Sequence, residues 1–407
     1  MSAPASARPA APSYAAVLRV PHARRAFAAA LTARLSYGTV SIALLLSVTR
    51  ATGSYAASGL VLALFGATAV LLMPLRAGLV DRYGPRRALP PMATVYGVLL
   101  GLLAVLTWRT GASVAPVAVT AVLAGACAPP LGPVMRALWS ALIGDPDLLR
   151  RAFSLDGVAE ELLFVSGPLL VGALLTTAPP PAGLLLSAVL VVGGTCAFAG
   201  CAGLGGTRPG SRRAGGGRVR GLLAPVAVAA GAGLALSAVE LLATAFAAGR
   251  VHNAALVPWM LGALSAGSAV GGLLNGAVRW RSAARVRLGW FAAALGAVIA
   301  AAGFAPGPWS LTAAMACAGV FVAPALTTAY LLADEHAPHD ARSRAGAWVN
   351  AAVNAGSSTG AVGIGLLIGH LPLTTCFALA GVTALASAPL AWSARSRPTQ
   401  PAPAAGL

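Results

Sequence analysis

No lysine occurs among the 407 residues; all 28 basic residues are arginine. This removes the P-loop lysine that holds nucleotide phosphates, the Schiff-base lysine and the lysine nucleophile. An ATP-driven pump with its motor in this chain is therefore excluded. Acids are scarcer still, ten in all, and charged residues make up only 9% of the chain. That is far too little polar surface to cover a soluble globule of this size. The five cysteines, Cys127, Cys196, Cys201, Cys317 and Cys376, fall inside apolar runs and read as small hydrophobes rather than as a disulfide set. None of the five histidines, His22, His252, His336, His339 and His370, lies in the middle of such a run. A membrane-embedded enzyme would need a nucleophile, a base or a metal set gathered at one depth, and no such histidine exists to supply it. His336 and His339 share a stretch with Asp334, Glu335 and Asp340 that could hold a metal, but solvated loop residues are the preferred reading. No metal and no cofactor is expected.

What the chain does have is apolar length. At 58% hydrophobic residues and a mean hydropathy of +0.81, it reads as an integral membrane protein. The runs are continuously apolar rather than alternating, which argues for helices and against a β-barrel. Twelve spans are expected, at about 26–48, 55–75, 88–108, 115–139, 154–177, 183–204, 224–248, 255–278, 287–305, 309–333, 346–369 and 374–393. Pro129, Pro130 and Pro133 interrupt the fourth. Residues 1–21 and 396–407 read as disordered tails, and 205–221, with five arginines among glycines, as a linker. It divides a six-helix half at 22–204 from a second at 222–395.

The arginines alternate from side to side. With the amino terminus inside, 23 fall in the tails and in the loops after spans 2, 4, 6, 8 and 10; Arg50, Arg109 and Arg250 fall outside, and Arg34 and Arg136 within spans. The positive-inside rule then places both termini in the cytoplasm. Because the positive charge of +18 is confined to alternate loops, it speaks for membrane orientation and not for nucleic acid.

The segment from Arg76 to Leu89 is a charged island between two apolar runs, with one acid, Asp81, among arginines. Gly78, Asp81, Arg82, Gly84, Arg86 and Arg87 resemble the loop signature that the major facilitator superfamily carries between its second and third helices. The resemblance implies an all-α membrane fold of twelve helices in two pseudo-symmetric halves. It also implies a monomeric secondary transporter that works by rocking the halves about a central site, lined by spans 1, 4, 7 and 10. Asp81 would then act as a conformational latch at the start of span 11, with Arg136 nearby. A faint internal repeat agrees with two halves: Arg151, Gly167 and Gly172 match Arg344, Gly360 and Gly365, and Gly78 to Asp81 aligns with Gly276 to Arg279.

Span 5 carries three acids within six residues, Asp156, Glu160 and Glu161. A carboxylate inside the bilayer costs about 2.5 kcal/mol or more unless it is paired, protonated or wetted. Arg34 lies at a similar depth to Glu160 and Glu161 and would pair with them, and Arg136 would pair with Asp81 or Asp156. Further along the same span, Gly167, Pro168 and Gly172 resemble the antiporter motif of the superfamily's drug/proton antiporter families, with Val171 departing from it. The expectation is thus proton-coupled efflux of a small organic molecule across a bacterial cytoplasmic membrane, as in multidrug resistance, with Asp156, Glu160, Glu161, Arg34 and Glu240 as candidates for coupling. Asn350 and Asn354, one turn apart, are candidates for the cavity wall. An importer or uniporter of a metabolite is the alternative within the superfamily, and an embedded enzyme or a channel the alternative outside it. The partners expected are the small-molecule substrate, protons and the lipid bilayer.

Overall fold

Runs of Ala, Leu, Val and Gly long enough to cross a bilayer have one way to satisfy their backbone there, which is the helix. A computed structural model describes residues 13–201, 221–247, 249 and 256–393. Its helices are α1 (Tyr14–Arg19), α2 (Ala23–Thr52), α3 (Tyr55–Leu71), α4 (Met73–Tyr83), α5 (Pro85–Thr107), α6 (Val114–Cys127), α7 (Leu131–Leu142), α8 (Pro146–Leu174), α9 (Pro181–Ala199), α10 (Leu223–Phe246), α11 (Val257–Ala277), α12 (Ala284–Ala302), α13 (Pro308–His336), α14 (Arg342–Leu367) and α15 (Leu373–Ser393). Two spans are each built from two helices. α3 and α4 form the second, bent by 42°. α6 and α7 form the fourth, broken where Pro129 and Pro130 supply no N–H. α14 is less continuously apolar than the other full-length spans, yet its 26 residues give a length of about 39 Å, enough to cross. Twelve spans result, six in each half.

Two readings of the sequence are corrected here. The charged island is not a loop of a dozen residues: α4 carries it as helix through Tyr83, and the chain turns on Gly84 alone, at φ 82°, a conformation that costs glycine least. Residues 14–19, assigned to a disordered tail, form α1, with the Ser13 hydroxyl accepting from the Ala16 N–H. The linker at 205–220 and the tail at 396–407 lie outside the described residues.

Within each half the helices touch through glycine, as expected where dispersion rather than water drives association. Gly167 on α8 lies against the backbone of Gly38 on α2, and its repeat mate Gly360 on α14 lies against Leu234 on α10. Gly172 and its mate Gly365 both face open space. The repeat thus recurs in the packing, span 5 on span 1 and span 11 on span 7.

One buried core fills the first half. It runs into the second half through Ala329, Tyr330, Ala333, Ala345 and Val349, residues near the end of α13 and the start of α14. Toward the opposite end the second half keeps a separate core, from Ala232 to Ala384. The halves are therefore packed together at the end that carries the arginine-rich connections.

Candidate functional site

The site begins with α8. Asp145 caps it by accepting from the Asp147 N–H at 3.0 Å, and Pro146 opens it. In a helix of 29 residues, Glu160 is the fifteenth and so falls at mid-height. Four charges meet there. Arg34 of α2 lies 2.7 Å from Asp156 Oδ1 and 3.0 Å from Glu160 Oε2. Arg136 of α7 lies 3.1 Å from Asp156 Oδ2 and also donates to Glu160. Arg34 and Asp156 are sealed from solvent at 1% and 0% exposure, while Glu160 retains 23%. Two cations and two anions form a closed, neutral ring. Ions at this depth persist only when paired in this way.

Of the two partners expected for Arg136, Asp81 and Asp156, it takes Asp156 and so stands in this ring rather than at the latch, and its guanidinium packs 3.8 Å from the Tyr330 ring of the second half. Arg76, counted among the loop arginines, is 4% exposed and inside the bundle. It donates to the carbonyls of Leu72 at 3.3 Å, of Gly125 at 2.7 Å, and of Ala69. Ala69 and Gly125 lie near the ends of α3 and α6, where the breaks in spans 2 and 4 fall, and Leu72 stands at the joint of α3 and α4, its carbonyl also accepting the Arg76 N–H at 3.0 Å. One arginine thus caps two helix ends. Tyr37 does similar work by donating to the carbonyl of Pro129.

Next to the ring lies a cavity of about 390 Å³ between the halves. Tyr37, Phe65, Met73, Tyr96, Phe164, Glu160 and Glu161 line it from the first half, and Thr327, Tyr330, Asn350 and Asn354 from the second. The asparagines form one chain: Asn354 donates to Asn350 Oδ1 at 3.1 Å, and Asn350 to the Tyr330 hydroxyl at 3.2 Å. Glu161 accepts from the Ser268 hydroxyl of α11. No cation is paired with it among the described residues, in contrast to Glu160. The expected lining by spans 1, 4, 7 and 10 is corrected in part, since α10 supplies no wall residue to this cavity while spans 2, 3, 5 and 11 do. Glu240 on α10 is exposed and away from the cavity. It sits nine residues beyond Gly231, which packs on α15, and so points away from that outer helix.

Below the cavity the two halves are tied together. The Arg344 N–H at the start of α14 donates to Asp81 Oδ2 at 2.9 Å, and the Arg344 side chain passes Gly78, where an added Cβ would meet its Cδ at 3.6 Å, an ordinary contact. A carboxylate at a helix start is favoured by the free N–H groups. Arg342 donates to the Ser140 carbonyl at 3.3 Å and lies 3.5 Å from Asp334. The rest of the signature does other work: Arg86 donates to the Cys201 carbonyl at 3.3 Å, closing α5 onto α9, and Arg82 and Arg87 are exposed. At the far side Tyr14 of α1 donates to the Leu273 carbonyl, and burial pushes its phenol up from the ordinary value. His336 is turned onto the Leu332 carbonyl, and no three His, Cys, Asp or Glu side chains converge among the described residues.

Twelve spans form two pseudo-symmetric bundles with a cavity between them. Residues 221–406 match the Major Facilitator Superfamily. The match covers the second half of the chain, and the chain as a whole shares its fold with the solved structures that follow. The human organic anion transporter MFSD10 (TETRAN) superposes with a TM-score of 0.71 at 16% identity, covering 91% of this chain and 99% of that one. A bacterial homologue of the iron transporter ferroportin, in its outward-facing state with soaked iron, gives 0.66 at 15% over 91% and 99%. The E. coli fucose:proton symporter FucP gives 0.65 at 15% over 92% and 99%. Among curated proteins nothing matches the chain. The solved structures that share this fold are membrane transporters.

Proposed function

We propose that the chain is a proton-coupled exporter of small organic molecules in the cytoplasmic membrane, with both termini inside, and that the cavity beside the charge ring is its substrate site. The observation that carries this reading is the contrast between two neighbouring acids. Glu160 is held by two guanidinium groups, whereas Glu161 faces the cavity with only a hydroxyl against it. A proton can enter or leave Glu161 without pulling an ion pair apart. Because Ser268 belongs to the other half, the same proton would strengthen or release a contact that spans the seam. That is a route from a proton gradient to alternating access.

The ring, on this reading, is the rigid floor of the site. On the same reading the Asp81 contact closes the cytoplasmic end and belongs to the state open to the outside. Efflux rather than uptake is supported by the antiporter-like segment at Gly167, Pro168 and Gly172, although in the fold Gly167 serves packing against Gly38. The aromatic wall of Tyr37, Phe65, Tyr96, Phe164 and Tyr330 suits an organic molecule with apolar surface. The test is flux in proteoliposomes under an imposed pH gradient, with compounds chosen by the toxicity profile of a deletion strain. Saturable flux that follows the gradient is expected; non-saturable flux would indicate a channel, and chemical conversion of the compound an enzyme.

A further inference from the structure

The three carbonyls that Arg76 meets, of Leu72, Gly125 and Ala69, take three of the five N–H donors that a guanidinium owns, one from each nitrogen. Two donors remain, one on each terminal nitrogen, and the side chain lines the cavity. Its charge is likewise unanswered. The groups whose field reaches it are Tyr37, Tyr96 and Cys127, and among the described residues no carboxylate joins them. A cation inside the bilayer is tolerated beside an anion, as Arg34 and Arg136 are; Arg76 is buried to 4% exposure without one. Tyr96 of α5 is an independent sign at the same place. It lines the cavity at 0% exposure, and its hydroxyl has no hydrogen-bond partner, whereas the Tyr37 hydroxyl donates to Pro129. A sealed hydroxyl of this kind costs stability unless something accepts from it.

We infer that Arg76 and Tyr96 form an anion-accepting subsite of the cavity, and that the transported molecule is an organic acid whose single carboxylate seats there. The charges on the wall support one negative group. Arg76, Arg136, Glu160 and Glu161 line it. Arg136 and Glu160 cancel within the ring, which leaves Arg76 on α4 and Glu161 on α8, each without an ionic partner. A carboxylate has two oxygens and can accept from an arginine fork and a phenol together, in charge-assisted bonds stronger than neutral ones. One guanidinium balances one such charge. A phosphate monoester, at about −2 near neutral pH, would bury an excess. Gly66, Ala69 and Met73 on the same wall leave the body of the molecule an apolar surface to lie on. Arg76 thus closes the helix ends with three donors and offers the other two to the substrate, and the Tyr96 hydroxyl finds its acceptor when the substrate arrives.

This assignment rests on the reading of the cavity as the substrate site, and two sets of variants keep the failures apart. The full chain is heated in detergent with naphthylacetate, indoleacetate or phenylbutyrate, each beside its neutral amide, and Kd is read from the rise in melting temperature with concentration. Wild type should bind the carboxylates about tenfold or more tightly than the amides. Tyr96→Phe deletes an unpartnered hydroxyl, so without ligand it should melt no lower than wild type, yet it should bind the carboxylates about tenfold more weakly. Arg76→Gln should erase the preference for the acid; where it does not fold, Tyr96→Phe decides. No preference for carboxylate over amide in wild type overturns the subsite. So does an affinity unmoved by Tyr96→Phe, which would leave that hydroxyl to cavity water alone. Asn354→Trp, at an exposed position on the wall of the second half, fills the cavity and should abolish binding of acid and amide alike. If it does so while Tyr96→Phe changes nothing, the cavity stands and the subsite fails. If carboxylate binding survives Asn354→Trp, the reading of the cavity falls and the subsite with it.

Discussion

At the scale of single residues, the charge ring makes the sharpest demand on the fold. Removing one member leaves a buried ion without its partner, which costs about 3–5 kcal/mol. Arg34→Ala should therefore lower the melting temperature in detergent steeply, as Asp156 and Glu160 would both lose a partner. Glu161→Gln should leave it nearly unchanged, since an amide can still bond to the Ser268 hydroxyl. Equal melting of the two variants would mean that the ring does not hold the fold. Pairing of Arg34 with the acids of span 5 is readable from the chain because the bilayer forces ions at equal depth to meet. The choice of Asp156 as its nearest partner is not readable. Counted from the sequence, Asp156 sits near the membrane surface, and only the real start of α8 at Pro146 moves it to the interior. Ser268 gives no signal at all, being one small polar residue in a helix of Gly, Ala and Ser.

At the scale of elements, the spans are legible as apolar runs and their irregularities only where proline announces them. Pro129 and Pro130 mark the break in span 4. The bend in span 2 falls between Leu71 and Met73 in an unbroken apolar stretch, and its one hint is Pro74 just beyond. Arg76 stabilises both breaks by bonding to the carbonyls they expose, a role hidden in the sequence by its place beside a true signature. The glycines separate two kinds of repeat match. Gly167→Ala and Gly360→Ala each drive a methyl into the backbone of a neighbouring span and should destabilise by about 1–3 kcal/mol. Gly172→Ala and Gly365→Ala should cost nothing measurable in the same thermal assay. Loss at all four positions, or at none, would contradict close helix approach as the reason for the first two.

At the scale of the whole molecule, two bundles are fastened together at one end. Their orientation rests on arginine placement: a cysteine introduced at Ser282 should resist impermeant thiol reagents in intact cells, and one at Gly53 should react. Asp81→Asn should slow exchange between states without abolishing substrate binding, because the residue lies outside the cavity wall. Loss of binding with exchange unchanged would refute its role as a latch. The membrane class and the helical spans are legible because lipid imposes them on composition. The identity of the substrate is not, because the cavity is assembled by spans 1 to 5, 10 and 11, and no stretch of sequence contains it.

The most direct test of the central claim compares Glu160→Gln and Glu161→Gln in proteoliposomes, following collapse of an imposed pH gradient on addition of a transported compound. The account predicts that wild type collapses the gradient saturably, and that Glu161→Gln does not while still exchanging labelled for unlabelled compound. Glu160→Gln should lose folded protein before it loses coupling. If Glu161→Gln collapses the gradient as wild type does, with an unchanged pH profile, the coupling proton is carried elsewhere and Glu161 has no part in it.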